Sequence, residues 1–504
     1  MYDVAIIGSG PGGSVAAMLL AKLGYQVTML ERGQHPRFAL GESSTPVMSK
    51  KIREMGRKYD IPELVELSSY DRIADSERPV VCAPKELFHY FYHEPGQTRA
   101  KINGEYPEIV VQTPDVDTQF LRADLDQRLV EYAVKYGADY RDKTEVRDVE
   151  FGDDGVRITT VGDDGAERLI ECKFVIDATG FRSFLAQKFD LRQPDESLDT
   201  PLKSRCIFTH FKDVGRLEDA VEPDPMFNQR LNVDRGHATQ HHCFDGGWYW
   251  FIPLGNGVTS IGLSLDIDVY PDTGRDPEEE FWEFTNRYPI VRAMLEGRET
   301  TLPYCRTGRM QFRTKEAVGD RWALLPAAAI GMDAWFSTGM GLTMLGADRL
   351  VSGLHERVLG PNCFKREALE FYERALFKEW WYITRMMDGI YKSFKHFEVF
   401  KYYCFFCFMG AESYVHSGGI RRPLDEDYLL LNVANRQFTD RFSTIYDKVR
   451  EYHAMEQLPE GAEEYLQGFL QSDMKEFNYR DYGNPSYSGI HYRLEKGSPH
   501  FDMD

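Results

Sequence analysis

Three observations predict an α/β fold: a Rossmann-like unit with an interleaved second sheet and a helical C-terminal region. Residues Asp3 to Glu31, DVAIIGSGPGGSVAAMLLAKLGYQVTMLE, read as strand, glycine turn, small-residue helix and a second strand ending in an acid. Short runs rich in Val, Phe and Tyr at about 75–115 and 185–315 read as strands of another sheet. Beyond Asn362 the texture changes to long helical stretches loaded with aromatics, such as FYERALFKEWWYITRMM. At 504 residues the chain exceeds one ordinary core, so two or three units are expected.

The apolar strand Val4 to Ile7 breaks at Gly8-Ser9-Gly10-Pro11-Gly12-Gly13, and a helix from about Pro11 to Leu23 follows. Gly8 would make the tight turn, Gly10 would admit a pyrophosphate to the helix N-terminus, and Gly13 would let the helix lie close on the strand. Glu31 stands where a ribose hydroxyl needs an acceptor, which completes a dinucleotide cradle. The loop Gly41 to Pro46, GESSTP, leads into a mixed-charge helical stretch from Ser49 to Leu67, then an irregular segment through Arg78. Val80 to His93 is strand-like, with Lys85 and His89 among aromatics. Gln119 to Tyr136 sets Leu121, Leu125, Leu129 and Val130 on one helical face, with Arg122 near its start. Thr144 to Ala178 reads as a strand meander with tight turns at Asp154-Gly155 and Asp164-Gly165. It feeds the last strand, Phe174 to Ala178, and the Thr179-Gly180 turn. VGDRWALLPAAA and STGMGLTML then bring the chain back to the cradle, with a helix expected to begin near Leu342.

A net charge of −20 argues against nucleic acid as a partner, because a phosphate-binding surface needs clustered Lys and Arg. No apolar run approaches bilayer length, and the first strand starts almost at once, so neither a membrane span nor a signal peptide is expected and the cytoplasm is the expected location. The eight cysteines are scattered without metal-ligand spacing, except for Cys404 and Cys407 in an apolar run that reads as core, so no metal is expected.

A nucleotide cradle followed by GESSTP and by VIDATG at Val175 to Gly180 resembles the flavoprotein hydroxylase class, whose resident cofactor is FAD. The resemblance implies FAD contacts at Gly8, Gly10, Pro11, Gly12, Gly13, Glu31, Arg32, Glu42, Ser43, Ser44, Arg122, Asp177, Gly180, Asp333 and Gly341. Trp248-Tyr249-Trp250-Phe251-Ile252-Pro253 then matches the WxWxIP signature of the flavin-dependent halogenases. Two tryptophans two apart on a strand face the same way and form a bulky wall. In that family Trp248, Trp250, Ile252 and Pro253 would wall the tunnel that keeps substrate from the flavin. Lys85 matches the family's catalytic lysine, Lys50, Lys51 and Lys101 being the other lysines to weigh. Burial beside aromatics would lower its pKa. In Asp333-Ala-Trp-Phe336-Ser337-Thr338-Gly339-Met340-Gly341 the amides of Thr338 and Gly339 would hold a halide, and Ser337 joins Lys85 in the implied catalytic set. Tryptophan halogenases carry a glutamate before that serine, whereas Phe336 stands here. A phenol activates its own ring and has less need of the acid. The usual GDA motif is replaced by Leu325-Pro326-Ala327, which leaves Asp320 a weak cofactor contact.

The reading is a halogenase of electron-rich aromatics, resembling the phenol and phloroglucinol branch, over a core of residues 1–365. Residues 366–504 would close over the substrate site. Reduced FAD from a separate flavin reductase, oxygen and chloride, bromide or iodide would yield hypohalous acid for Lys85. An aromatic hydroxylase of the same fold is the rival, and an electron-transfer module the third reading. A monomer and a homo-oligomer are both compatible with the sequence.

Overall fold

The computed structural model describes residues 1–487 and 489–492. Two eight-stranded sheets carry the chain. In the first, β1 (Tyr2–Ile7) is central, flanked in parallel by β2 (Val27–Leu30) and by the long strand ending at Asp177. Gly8, at φ 102°, makes the turn that no side chain would tolerate, because a Cβ there would lie 2.6 Å from the Ala178 carbonyl oxygen. Pro11 then occupies the first turn of the helix Pro11–Lys22, where its missing N–H is not needed.

The second sheet is built on β3 (Cys82–Tyr92) and β4 (Glu108–Phe120), an antiparallel pair. The helix Arg122–Lys135 follows, so the expected start at Gln119 is replaced by the end of β4. The meander consists of β5 (Asp139–Arg141), β6 (Thr144–Phe151), β7 (Val156–Gly162) and β8 (Glu167–Asp177), of which β6 to β8 form the antiparallel part. The chain returns to the second sheet with β9 (Ser204–Lys212), β10 (Ala238–Phe244), β11 (Gly247–Pro253) and β12 (Val258–Asp266). Strand β10 lies parallel to β3, about 150 residues away in sequence, and the short strand Ile490–His491 adds itself beside β4. Along β11 the side chains alternate. Trp248, Trp250 and Ile252 enter the main core, while Tyr249 and Phe251 pack under the sheet's other face.

The helix expected to begin near Leu342 begins at Thr338 and runs to Gly353. The helices Glu370–Ser393, Phe397–His416 and Arg436–His453 form the C-terminal part. They share one hydrophobic core with the first sheet, from Val4 to Tyr482. Cys404 and Cys407 are buried in it, and all eight cysteines are free. Among the described residues no helix is long and apolar enough to cross a membrane.

Candidate functional site

Two hollows lie on either side of the N-terminus of the helix Thr338–Gly353. The larger, a cleft of about 700 Å³, is lined by Gly8, Gly10 to Gly13, Glu31, Arg32, Arg37, Gly41, Arg122, Thr179, Gly180, Leu325 and Gly339. That volume lies inside the range of roughly 300–1,000 Å³ typical of cofactor sites. The glycines divide as expected: a Cβ on Gly13 would lie 2.2 Å from the Gly8 carbonyl oxygen, whereas one on Gly10 would meet nothing within 4 Å. Gly10 therefore leaves open the ground where a pyrophosphate would sit on the helix N-terminus.

Glu31 accepts hydrogen bonds from the Gly33 amide at 2.9 Å and the Ser9 hydroxyl at 3.0 Å, and Arg37 lies 3.4 Å away. Burial works against its charge, yet these partners hold the carboxyl below its ordinary value, so an acceptor is ready for a ribose hydroxyl. Arg122 lines the cleft and pins the Gly41 carbonyl at 3.0 Å while paired with Asp126. The residues present thus fit an FAD.

Several expected contacts are turned elsewhere. Asp177 caps its own turn, accepting from the Thr179 amide at 2.9 Å and the Leu185 amide at 2.7 Å. Asp333 accepts from Ser204 at 2.6 Å, Ser264 at 3.0 Å, Tyr391 at 2.8 Å and the Trp335 amide at 2.9 Å. Burial raises both carboxyls, so these bonds offset a desolvation cost rather than serve a ligand. Glu42 is bonded to His210 at 2.7 Å, and Asp320 is paired at the surface with Lys365. Neither lines the cleft, and Gly341 lines the second hollow instead.

That second hollow is a cavity of about 120 Å³ with nearly apolar walls, lined among others by Phe88, Phe336, Thr338, Ile383, Met387 and Phe408. Helices beyond Asn362 supply much of it, and Lys50, Glu412 and Arg480 also reach its wall. Phe336, in the left-handed region at φ 62°, turns its ring edge-on to Phe408 at 5.4 Å. Ser337, also left-handed at φ 54°, precedes the helix and lines neither hollow, while Thr338 borders the cavity and its neighbour Gly339 the cleft.

Lys85 is fully buried on an inner strand, not on an edge. The register of β3 on β4 slips between Lys85 and Leu87. Residues 85 and 88 would face opposite ways on a regular strand, and this irregularity lets Nζ sit 3.7 Å from the Phe88 ring centroid. Nζ also donates to Ser43 Oγ and the Ser44 carbonyl, both at 2.8 Å, so Ser43 and Ser44 serve the lysine and do not line the cleft. Burial lowers the ammonium to about 7, against the opposing pull of Asp117. Asp117 stands directly across the strand pair, and burial pushes its carboxyl up to about 7. Its Oδ1 accepts from Ser49 at 2.6 Å, and its Oδ2 is buried without a hydrogen-bond partner. No motif marks Asp117 in the sequence. It shares β4 with Glu108 and Asp115, and what sets it apart is its burial opposite Lys85. Of the other lysines, Lys51 is locked to Asp348 and Lys101 lies over Tyr106 outside both hollows.

The tryptophan pair walls neither hollow. Trp248 packs edge-on to Trp335 at 4.8 Å and donates to the Tyr391 hydroxyl at 3.0 Å, while Trp250 donates to Ser260 at 3.2 Å. Ile252 and Pro253 line neither hollow either. The signature strand instead buttresses the 333–338 loop from behind.

A family profile described as an FAD binding domain matches residues 1–225. Tetracycline 7-halogenase of Kitasatospora aureofaciens is 35% identical over 352 residues, 68% of this chain and 61% of that protein. Monodechloroaminopyrrolnitrin halogenase PrnC of Pseudomonas fluorescens is 33% identical over 385 residues, 74% of this chain and 65% of that protein. The chain therefore spans less than two thirds of either relative's length. The crystal structure of halogenase PltM in complex with phloroglucinol and FAD superposes with a TM-score of 0.86 at 25% identity, over 98% of this chain and 100% of that one.

Proposed function

Because the chain belongs to the flavin-dependent halogenases, with FAD as its cofactor, we propose that it halogenates a phenolic ring, using reduced flavin supplied by a separate reductase. When bound, the reduced flavin supplies the electrons that, with oxygen and halide, give hypohalous acid. Gly10 and Glu31 would hold the cofactor's pyrophosphate and ribose in the cleft. The first-turn amides at Thr338 and Gly339, which lack intrahelical partners, would attract the halide between the two hollows. Lys85 would take up the electrophilic halogen as a free amine.

One observation carries this reading: the buried Lys85, held near neutrality, touches the Phe88 ring that lines the aromatic cavity. The cavity's 120 Å³ compares with the roughly 150 Å³ of an engineered cavity that holds benzene, so it suits a single ring. Phe336, in place of a carboxylate, favours a ring that activates itself, and phloroglucinol, with which halogenase PltM forms its complex, belongs to that class. The hydroxylase alternative is not favoured, since the relatives are named as halogenases and direct oxygen delivery needs no buried lysine. The same reading puts the enzyme in the cytoplasm, where its eight free cysteines would stay reduced.

Mixing the FAD-loaded protein with NADH or NADPH under argon tests the reductase requirement. The flavin should stay oxidised until a flavin reductase is added. With reductase, oxygen and each halide in turn, a panel of one-ring phenols should yield halogenated products by mass spectrometry. Rapid flavin reduction by NADPH alone, with hydroxylated products, would establish the rival reading.

A further inference from the structure

We propose that Phe88 is a positioning residue, whose ring is the partition between Lys85 and the aromatic cavity and must move aside before the amine can meet anything held there. This rests on the reading that Lys85 acts on a ring in that cavity.

Lys85 is fully buried and lines neither the cleft nor the cavity, so Nζ has no open path to either hollow as the side chains stand. Its neighbours identify the group in the way. A neutral amine carries two N–H groups and one lone pair. Both N–H groups are matched by acceptors already in place, Ser43 Oγ and the Ser44 carbonyl, each at 2.8 Å. The lone pair, which is what reacts with an electrophile, is left to the remaining side of the nitrogen. Phe88 covers Nζ with its ring centroid 3.7 Å away. Ser43 and Ser44 line neither hollow, so of these three neighbours only Phe88 borders the cavity. Phe408, itself a wall residue, braces the Phe88 ring edge-on at 5.2 Å. An ammonium is attracted to a ring face and a free amine is not, so loss of the proton that makes Lys85 reactive also loosens the ring above it.

Cyanate tests the partition, because it carbamylates only free amines: R–NH₂ plus HNCO gives R–NH–CO–NH₂, a step that uses the lone pair. The oxidised FAD-loaded protein is treated with cyanate in mildly alkaline buffer and digested. The rate at Lys85 is then read by peptide mass spectrometry against the rate at exposed Lys101. A buried amine reacts only through local opening, so in the parent Lys85 should react far more slowly than Lys101. In Phe88→Ala the Lys85 rate should rise about tenfold or more while that of Lys101 stays the same. Phe408→Ala is the control, since it removes a ring of the same wall that does not lie over Nζ, and it should leave Lys85 within about threefold of the parent. A rise shared equally by the two variants, no rise in Phe88→Ala, or a parent Lys85 as reactive as Lys101 overturns the partition. If Phe88→Ala does not fold, Phe88→Leu decides by the same comparison, because leucine fills the wall without a ring face over Nζ. A rise above about threefold there supports the partition and a smaller one overturns it. Product assays report separately: the rise in Lys85 reactivity without halogenated product from the parent would refute the reading of Lys85 and leave the partition in place, and product from the parent without that rise would do the reverse.

Discussion

Single residues divide the site's labour more sharply than the motifs suggest. A Cβ on Gly10 would meet nothing while one on Gly13 would strike the Gly8 carbonyl, so a side chain should cost cofactor binding at the first and stability at the second. Gly10→Leu should give a folded protein of near-parent melting temperature with no bound-flavin absorbance. Gly13→Ala, forced 2.2 Å from a carbonyl oxygen, should lose stability by about 1–3 kcal/mol or more in a denaturant titration. A Gly10→Leu protein with ordinary FAD content would contradict the cradle's assignment. Lys85 carries a pH signature as well. Burial lowers its pKa well below that of an exposed lysine, so the amine is free over a wider pH range. Halogen transfer through the free amine should therefore persist to a pH well below the limb near 10.5 that an exposed lysine would set, and fall only below that. Asp117 pulls the Lys85 pKa upward, so Asp117→Asn should move the limb to lower pH in a profile of product formation. An unmoved limb would remove Asp117 from the site. The family resemblance pointed at Lys85, and the structure shows it buried on an inner strand. Nothing in the sequence pointed at Asp117, since a carboxylate among others on a strand stands out only when folding buries it opposite a lysine.

At the scale of elements, the strand pattern was legible and the pairing was not. The alternation along β11 correctly put both tryptophans on one face, but nothing in the sequence said that face would meet Trp335 and Tyr391. The helix Thr338–Gly353 was expected to begin four residues late because its first turn holds two glycines, poor helix formers. Packing overrides that propensity: Gly341 lies close to Thr45 and Met48, and Gly346 against Pro326. The loop before the helix holds Phe336 and Ser337 in left-handed conformations that neither residue favours, so it must be braced from outside. The Tyr391 hydroxyl is the brace, bonded to Trp248, Ser264 and Asp333. Tyr391→Phe leaves a buried indole N–H without its acceptor and should destabilise the protein by about 1–3 kcal/mol. The loop should also become more accessible, read as faster amide hydrogen exchange over 333–340. Unchanged stability and exchange would show that the loop is held by its rings alone.

Across the whole molecule, the cradle and the chemistry are joined by parts of the chain that lie far apart in sequence. The aromatic cavity draws on the GESSTP loop, on β3 and β4, on the 336–341 turn and on helices beyond 380. The described chain ends by adding a strand at Ile490–His491 to the same sheet that carries Lys85. Aromatic helices announce burial but not their partner, so the sequence marked these helices as a cover without showing which walls they would supply. In the proposed layout flavin chemistry would lie in the cleft and ring chemistry in the cavity, and Lys85 is buried between the GESSTP loop and Phe88. The measurement that bears most directly on this layout compares the parent with Lys85→Ala under reductase, oxygen, halide and a phenol, following flavin oxidation and product together. The variant should bind FAD and oxidise reduced flavin as the parent does, while halogenated product falls by about a hundredfold or more. Product formation near the parent rate in a folded Lys85→Ala would contradict the account, and would hand the role to Lys50 on the cavity wall or to free hypohalous acid.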